Sequence, residues 1–221
     1  MEIEEYIEAH IDAEPEGLAR LDRESHLRMV HGRMCSGHLQ GRLLVMLTRM
    51  IAPMRVLELG TFTGYSTLCL AEGMADGGIV DTIEIFDENE EFLRDVFAKN
   101  PHGEKVRLHI GDALGLMPQM ESGSYDLIFI DADKRVYPEY YGQGKRLLRD
   151  GGYIIADNTL WDGHVAERGR HDSQTEGVRR FNDMVAADPD VEKVILPLRD
   201  GLTLIRKKKA GSVNPLGAGG V

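Results

Sequence analysis

The 221-residue sequence contains only two cysteines, Cys35 and Cys69, and they lie far apart. Their spacing matches no metal-binding or redox motif, so we expect reduced thiols in the core. No apolar run approaches the roughly 20 residues that cross a bilayer. The acidic beginning, MEIEEYIEAH, is unlike a secretory leader. We therefore expect a cytoplasmic protein with no membrane anchor.

Positive charge is also scarce, because 26 Lys and Arg residues stand against 37 Asp and Glu residues, a formal net charge of −11. The basic cluster RKKK at 206–209 comes just before AGSVNPLGAGGV, whose composition is typical of a flexible tail. Proteins that bind nucleic acid bring clustered Lys and Arg to the phosphates. The charge therefore counts against a nucleic-acid partner, but it does not exclude tRNA.

A hydrophobic content of 42% and this length suit one well-cored domain, and we find no internal repeat. Residues 1–52 have helical periodicity and are expected to pack on the core, which spans 53–208. A flexible tail is predicted at 209–221. Along LQGRLLVMLTRMI, apolar residues recur at spacings of three and four. The predicted buried face consists of Leu39, Leu43, Leu44, Leu47, Met50 and Ile51.

Short apolar runs alternate with helical segments from Arg55 onward. The predicted strands are 55–60, 79–85, 106–113, 125–132, 151–158, 191–198 and 202–207. This alternation indicates a parallel sheet covered on both faces. The last two strands are joined through Asp200-Gly201, so we expect an antiparallel hairpin at one edge. The predicted fold class is α/β, a Rossmann-like doubly wound and mostly parallel seven-stranded sheet with N-terminal helices. Such sheets bind ligands at the carboxyl ends of their strands.

Two glycines, Gly60 and Gly64, follow the first strand in LELGTFTGYS. Glycines there permit a tight turn, and the amides at the start of the next helix can hold an anion. The spacing differs from the Gly-x-Gly-x-x-Gly of dinucleotide-binding proteins, which argues against an NAD-dependent oxidoreductase. Glu84 closes the second strand, where a carboxylate can accept both hydroxyls of a ribose. Ser66 can hold a ligand carboxylate or simply cap the helix. The pattern suits an adenosine-containing ligand that bears a carboxylate. The alternative is that Gly60 and Gly64 are simple turn glycines and that Glu84 is a solvated strand end.

Polar side chains also end the fourth and fifth strands, at Asp131 and at Asp157-Asn158. Neighbouring strands lie about 4.8 Å apart, so these side chains can converge. Two carboxylates and an amide suit a hard cation such as Mg²⁺ and lack the His or Cys that zinc prefers. The alternative is a helix cap at Asp131 and a turn at Asp157. Lys134 is a candidate base if a cation and burial lower its pKa, although position alone favours an ion pair with Asp131 or Asp133.

The chain resembles a known family in VLELGTFTGYS, IEI at 83–85, GDA at 111–113, DLIFIDADK, ADNTLW and DGLTLIRK. These motifs, in this order over about residues 30–207, are similar to those of the metal-dependent O-methyltransferases related to catechol and caffeoyl-CoA O-methyltransferases, above all the bacterial members. The resemblance implies an S-adenosylmethionine-binding fold of class I and a divalent cation, usually Mg²⁺, with Mn²⁺ or Ca²⁺ as alternatives. It also implies a small phenolic substrate and a homodimer.

Residue by residue, the resemblance implies metal ligands at Asp131, Asp157 and Asn158 and a catalytic base at Lys134. It implies cofactor contacts at Glu58, Gly60, Thr61, Gly64, Tyr65, Ser66, Glu84, Ile85, Asp112, Ala113, Asp131 and Asp133. Candidate substrate contacts are Tyr137 and Trp161, although Trp161 can equally be a packing residue. Val136 stands where relatives commonly have Asn or Arg, which puts one polar contact in doubt. Asn182, in the last helix, can reach the metal site from outside.

The predicted reaction is an in-line methyl transfer from S-adenosylmethionine to a phenolic oxygen of a catechol-like molecule. Two alternatives stay open: a methyltransferase that acts on a tRNA nucleoside hydroxyl, and a non-catalytic S-adenosylmethionine-binding protein. The sequence does not identify the acceptor, whose selection we expect to depend on residues 30–42, the 160–175 loop and Val136.

Overall fold

The chain folds around one seven-stranded sheet in a computed structural model that describes residues 2–28, 36–209 and 211. The strands are β1 (Arg55–Leu59), β2 (Ile79–Glu84), β3 (Val106–Ile110), β4 (Tyr125–Ile130), β5 (Leu148–Ala156), β6 (Val191–Leu196) and β7 (Leu202–Lys207). Their order is β3-β2-β1-β4-β5-β7-β6; β1 to β5 are parallel, and β7 is antiparallel to both β5 and β6. The predicted doubly wound sheet with a closing hairpin at one edge is confirmed.

Helices cover both faces of this sheet. In the described residues the α-helices are α1 (Ile3–Glu8), α2 (Glu16–Arg28), α3 (Gly37–Ile51), α4 (Tyr65–Gly73), α5 (Glu90–Ala98), α6 (Ala113–Leu116), α7 (Tyr137–Leu147) and α8 (Ser173–Ala187). Successive strand residues point to opposite faces. Val56 and Phe129 belong to the core shared with α2 to α5, whereas Leu57 and Ile128 belong to the core shared with α6 to α8.

The buried face of α3 differs from the predicted one. Its buried residues are Gln40, Gly41, Leu44, Val45 and Thr48. Met50, predicted to be buried, is 75% exposed. The reason is a close approach to α4: a Cβ atom on Gly41 would lie 2.8 Å from the Tyr65 ring. Such an approach selects small residues, which a pattern of large apolar residues does not reveal.

The carboxyl ends of β1, β4 and β5 lie level with one another. The Asp131 amide donates to the Leu59 carbonyl, and the Asp157 amide donates to the Ile130 carbonyl, each over 2.9 Å. The strand order reverses between β1 and β4, so this edge is where ligand-binding side chains are expected to converge.

Other predictions concern the ends of the chain. Leu18 and Leu21 of α2 lie in the same core as β1, while the predicted division at residues 52 and 208 stays a prediction. Cys69 is buried, as predicted. Cys35 and most of the predicted tail lie outside the described residues. In the described part of the chain, no helix combines the length and apolar character needed to cross a membrane.

Candidate active site

The loop from β1 to α4 requires glycine at two positions. Gly60 has a φ of +96°, and a Cβ atom on it would lie 2.2 Å from the carbonyl oxygen of Asp131. Gly64 has a φ of +83°, and its Cβ atom would lie 2.7 Å from the ring of Phe97. Glycine therefore allows the end of β1 to lie against the end of β4 and α4 to begin close to α5. Packing alone accounts for both glycines, and their contact with a cofactor stays a prediction.

Glu58 lies beneath this loop and is fully buried. The hydroxyls of Ser66 and Thr82 each donate to its carboxylate over 2.6 Å, and Thr67 donates as well. Burial raises the pKa of Glu58 to about 7, although the three hydroxyls act in the opposite direction. The hydroxyl proton of Ser66 is thus used within the protein. The predicted ligand contact of Ser66 then depends on its lone pairs and on the amides at the start of α4.

Glu84 ends β2 with its carboxylate held by backbone amides. Phe62 N donates to one oxygen over 2.8 Å, and Phe86 N donates to the other over 3.0 Å. Each oxygen keeps a further lone pair, which fits the predicted pair of ribose hydroxyls. Ile85 and Phe86 beside it are 60% and 57% exposed. Phe86 was not among the predicted site residues, although a large apolar residue directly after a strand was a signal for it.

Thr61 and Tyr65 have partners within the protein. The hydroxyls of Thr61 and Thr82 lie 2.6 Å apart. Tyr65 is buried, and its hydroxyl donates to Glu14 over 2.5 Å. Both residues therefore fix the glycine loop to its surroundings.

Asp112, Ala113 and Asp133 lie at the starts of short helical segments. Asp112 caps α6 by accepting from Leu114 N over 3.1 Å, and Ala113 is buried behind it. Asp133 caps the 3₁₀ turn that follows β4 and forms an ion pair with Arg135. Asp133 thus has a capping role of its own, and cofactor contacts of these residues stay predictions.

The acidic side chains at the ends of β4 and β5 accept hydrogen bonds from one ammonium group and two amides. Lys134 Nζ donates to Asp131 over 2.6 Å. Asp157 accepts from Gln40 Nε2 over 2.5 Å and from Asn158 N over 2.7 Å. Asp157 is 4% exposed, and burial, with the charge of Asp131 second, raises its pKa to about 6. Asp131 is thus paired with a buried ammonium group, whereas the Asp157 carboxylate is held by amide donors.

This donor set fits a hard divalent cation. The described residues contain no cluster of three or more His, Cys, Asp and Glu side chains. The candidate set implied by the resemblance, Asp131, Asp157 and Asn158, has two carboxylates and one amide and stays a prediction. Such a set suits Mg²⁺ better than Zn²⁺. A dication would also offset the carboxylate charge that raises the pKa of Asp157.

Lys134 is buried, with 7% of its surface exposed. Burial lowers the pKa of Lys134, but the charge of Asp131 and the Tyr137 side chain outweigh burial, so the pKa lies above its ordinary value. The predicted fall in this pKa assumes a bound cation and stays a prediction, because the nearest charge to Lys134 in this structure is the Asp131 carboxylate. The alternative prediction, an ion pair with Asp131, is confirmed.

Tyr137 supports this cluster from behind. It has no exposed surface, and its hydroxyl donates to the Asp157 carbonyl over 3.0 Å. The side chain packs in the core, and its predicted substrate contact stays a prediction. Val136 packs against the same core, so the departure from the family pattern places an apolar side chain there.

The turn after β5 has an unusual backbone. Asn158, Trp161 and Asp162 all have φ between 48° and 55°, a region that few residues other than glycine adopt. Asn182 of α8 donates to the Thr159 carbonyl over 2.8 Å, so it holds the turn instead of reaching a metal. Trp161 is partly exposed, and its contact with substrate stays a prediction.

Comparison with known proteins agrees with this geometry. The model of a family described as O-methyltransferase matches residues 8–208. The chain is 35% identical over 204 residues to caffeoyl-CoA O-methyltransferase 1 of Eucalyptus globulus, which covers 88% of this chain and 82% of the relative. It is 34% identical over 162 residues to the catechol O-methyltransferase of Niastella koreensis, covering 72% and 73% of the two chains.

A solved structure with the same fold contains the expected cofactor. The O-methyltransferase TomG from Streptomyces achromogenes, in complex with S-adenosylmethionine, superposes with a TM-score of 0.87 at 29% identity, covering 93% of this chain and 96% of TomG. The family match spans nearly the whole chain and includes the glycine loop and both acidic strand ends. The chain therefore belongs to the O-methyltransferase family, and it is an S-adenosylmethionine-dependent O-methyltransferase.

Proposed function

We propose that this enzyme methylates one of two adjacent hydroxyls on a small catechol-like phenol, and that the reaction depends on a divalent cation. The observation that carries the proposal is the convergence of the Asp131 and Asp157 carboxylates at neighbouring strand ends beside Lys134, with Asn158 next to Asp157 in the chain. Two relatives named for catechol and caffeoyl-CoA support a phenolic acceptor.

Several residues would bind and orient the methyl donor. The glycine loop offers the backbone amides at the start of α4 to its carboxylate. Glu84, held by two amides, presents free lone pairs to its ribose. Ile85 and Phe86 give apolar surface beside that ribose. When bound, S-adenosylmethionine supplies a methyl group on a positively charged sulfur.

Asp131, Asp157 and Asn158 would hold the cation. When bound, a divalent cation supplies positive charge that lowers the pKa of a neighbouring phenolic hydroxyl from its ordinary value near 10 and offsets the charge of Asp131. Lys134 is the nearest ammonium to this site and is proposed to take the phenolic proton. It can do so only when the Asp131 charge is balanced by another group, because that charge keeps Lys134 protonated.

A comparison of acceptors tests the proposal. With saturating Mg²⁺ and S-adenosylmethionine, methyl transfer to catechol should be at least about 100-fold faster than transfer to phenol, because phenol offers one oxygen instead of two. Asp157→Ala should abolish transfer to catechol. Equal rates on phenol and catechol would contradict the acceptor class, and full activity of Asp157→Ala would contradict the cation site. Cofactor binding with no transfer to any of a panel of catechols would support a non-catalytic role.

The homodimer and the cytoplasmic location stay predictions. Light scattering on the purified protein should give twice the mass of one chain. A monomer at micromolar concentration would contradict the expected homodimer.

A further inference from the structure

Gln40 of α3 is a polar neighbour of Asp157 that was not predicted from the sequence. It is 1% exposed, and its Nε2 atom lies 2.5 Å from Asp157 Oδ2, although the two residues are 117 positions apart in the chain. We propose that Gln40 is a positioning residue that fixes the orientation of the Asp157 carboxylate for cation binding. This inference rests on the proposed cation site.

The two hydrogen bonds to Asp157 constrain its carboxylate plane. Gln40 Nε2 donates to Oδ2, and Asn158 N donates to Oδ1 over 2.7 Å. An ionised carboxylate only accepts hydrogen bonds, so the amide must turn its NH₂ group towards it. Each carboxylate oxygen then keeps a lone pair for a cation. Without Gln40, only the Asn158 amide would restrict rotation about the Cβ–Cγ bond of Asp157.

Close packing of α3 fixes Gln40 itself. The next residue, Gly41, lies so close to α4 that a Cβ atom on it would be 2.8 Å from the Tyr65 ring and 3.1 Å from Cys69 Sγ. Leu44, one turn further along, has no exposed surface. At the start of α3, Arg199 donates to the Ser36 carbonyl. The helix therefore cannot shift without breaking core contacts, and Gln40 is a rigid support for Asp157.

A support of this kind acts through a metal ligand and should change cation affinity more than folding. Removing a hydrogen-bond partner of a metal ligand typically weakens metal binding by about 10- to 100-fold. Gln40 donates to the Asp157 carboxylate, whereas Lys134 donates to Asp131. Loss of Gln40 should therefore leave the Lys134–Asp131 ion pair intact.

The test is calorimetric titration of the full chain with Mn²⁺ and, separately, with S-adenosylmethionine. Gln40→Met keeps the length of the side chain and removes the donor, and Gln40→Asn keeps the amide but is too short to reach Asp157. Thr48→Val is the matched control, because Thr48 is fully buried on the same helix and does not contact the acidic pair. Thermal unfolding of the apoprotein is measured for each variant.

We expect both Gln40 variants to bind Mn²⁺ about 10- to 100-fold more weakly than the wild type. Their S-adenosylmethionine affinity should change less than about threefold, and Thr48→Val should match the wild type in both titrations. Wild-type Mn²⁺ affinity in a folded Gln40 variant would overturn the inference while leaving the cation site intact. A parallel loss of stability and of both affinities would also overturn it, because it would show a general structural role. If the wild type itself bound no Mn²⁺, the inference and the proposed cation dependence would both fail.

Discussion

At the scale of single residues, the main feature of the site is a set of buried carboxylates with few positively charged neighbours. Glu58 accepts side-chain hydrogen bonds from hydroxyls alone, whereas Asp131 pairs with the Lys134 ammonium and Asp157 accepts from the Gln40 amide. A carboxylate removed from water without a cation is destabilising in its charged form. We therefore expect these residues to contribute measurably to pH dependence and to catalysis.

Glu58→Gln should change how stability depends on pH. The pKa of Glu58 rises from 4.5 to about 7 on folding, so the folded state holds this proton more tightly than the unfolded state. The free energy of unfolding should then fall as pH rises from about 4.5 to about 7, by about 3 kcal/mol for this group. Glutamine does not titrate, so the variant should lack that part of the decline. The measurement is urea unfolding of both proteins from pH 5 to 8. Parallel curves would contradict the raised pKa.

Lys134→Arg should separate charge from base catalysis. Arginine can keep an ion pair with Asp131 but cannot lose its proton near neutral pH. We expect the urea midpoint to change little and kcat to fall by about 10²- to 10⁴-fold. Lys145→Arg is the control, since Lys145 pairs with Asp188 in a similar partly buried ion pair. A kcat for Lys134→Arg near that of the wild type would show that Lys134 is not the base.

Helix packing positions these side chains at the scale of secondary-structure elements. Gly177 of α8 lies directly on the turn that carries Lys134: a Cβ atom on Gly177 would be 2.2 Å from the Lys134 carbonyl oxygen and 2.7 Å from Arg135 Cα. Both are backbone atoms, so the helix or the turn would have to move. The position of Lys134 therefore depends on a glycine that contacts no ligand.

Gly177→Ala should lower the free energy of unfolding by about 1–3 kcal/mol through overpacking, and it should lower kcat by displacing Lys134. Gly142→Ala is the matched control, because Gly142 is also helical and a methyl group added to it would meet no described atom within 4 Å. That variant should be about 0.5–1 kcal/mol more stable, since alanine favours a helix over glycine. Urea unfolding and steady-state rates measure both effects. A stabilised Gly177→Ala would contradict the close contact.

The elements themselves were largely predictable from the sequence. Each predicted strand overlaps an observed one, because buried parallel strands are continuous apolar runs. The buried face of α3 was not predictable, because it depends on the close approach of Gly41 to α4. The left-handed turn at Trp161 and Asp162 was also missed, since no glycine or proline marks either position.

At the scale of the whole molecule, the sequence predicted the acidic strand ends but not the residue that supports them. The alternation of strands and helices placed Asp131 and Asp157 at one edge of the sheet, as observed. Gln40 was missed because its contact joins residues 117 positions apart. The sequence carried one signal for Gln40: it is a polar residue four positions before Leu44, on the same face of an amphipathic helix.

Net charge gives a prediction for the whole molecule. At −11, the chain should be repelled by polyanions. We expect no retardation of total tRNA in native gels at 150 mM salt with up to about 10 μM protein. That concentration detects non-specific nucleic-acid binders whose dissociation constants are about 10⁻⁶ M or tighter. Binding in that range, with labelled methyl transfer to the tRNA, would support the alternative acceptor.

The dependence of catechol methylation on a divalent cation tests the central claim most directly. Enzyme treated with EDTA and then dialysed should show almost no transfer from labelled S-adenosylmethionine to catechol, and Mg²⁺ should restore the rate. The same titration on Asp157→Asn should restore little or nothing, because one ligand oxygen is replaced by an amide group and a negative charge is lost. Unchanged transfer to catechol in excess EDTA would contradict the account.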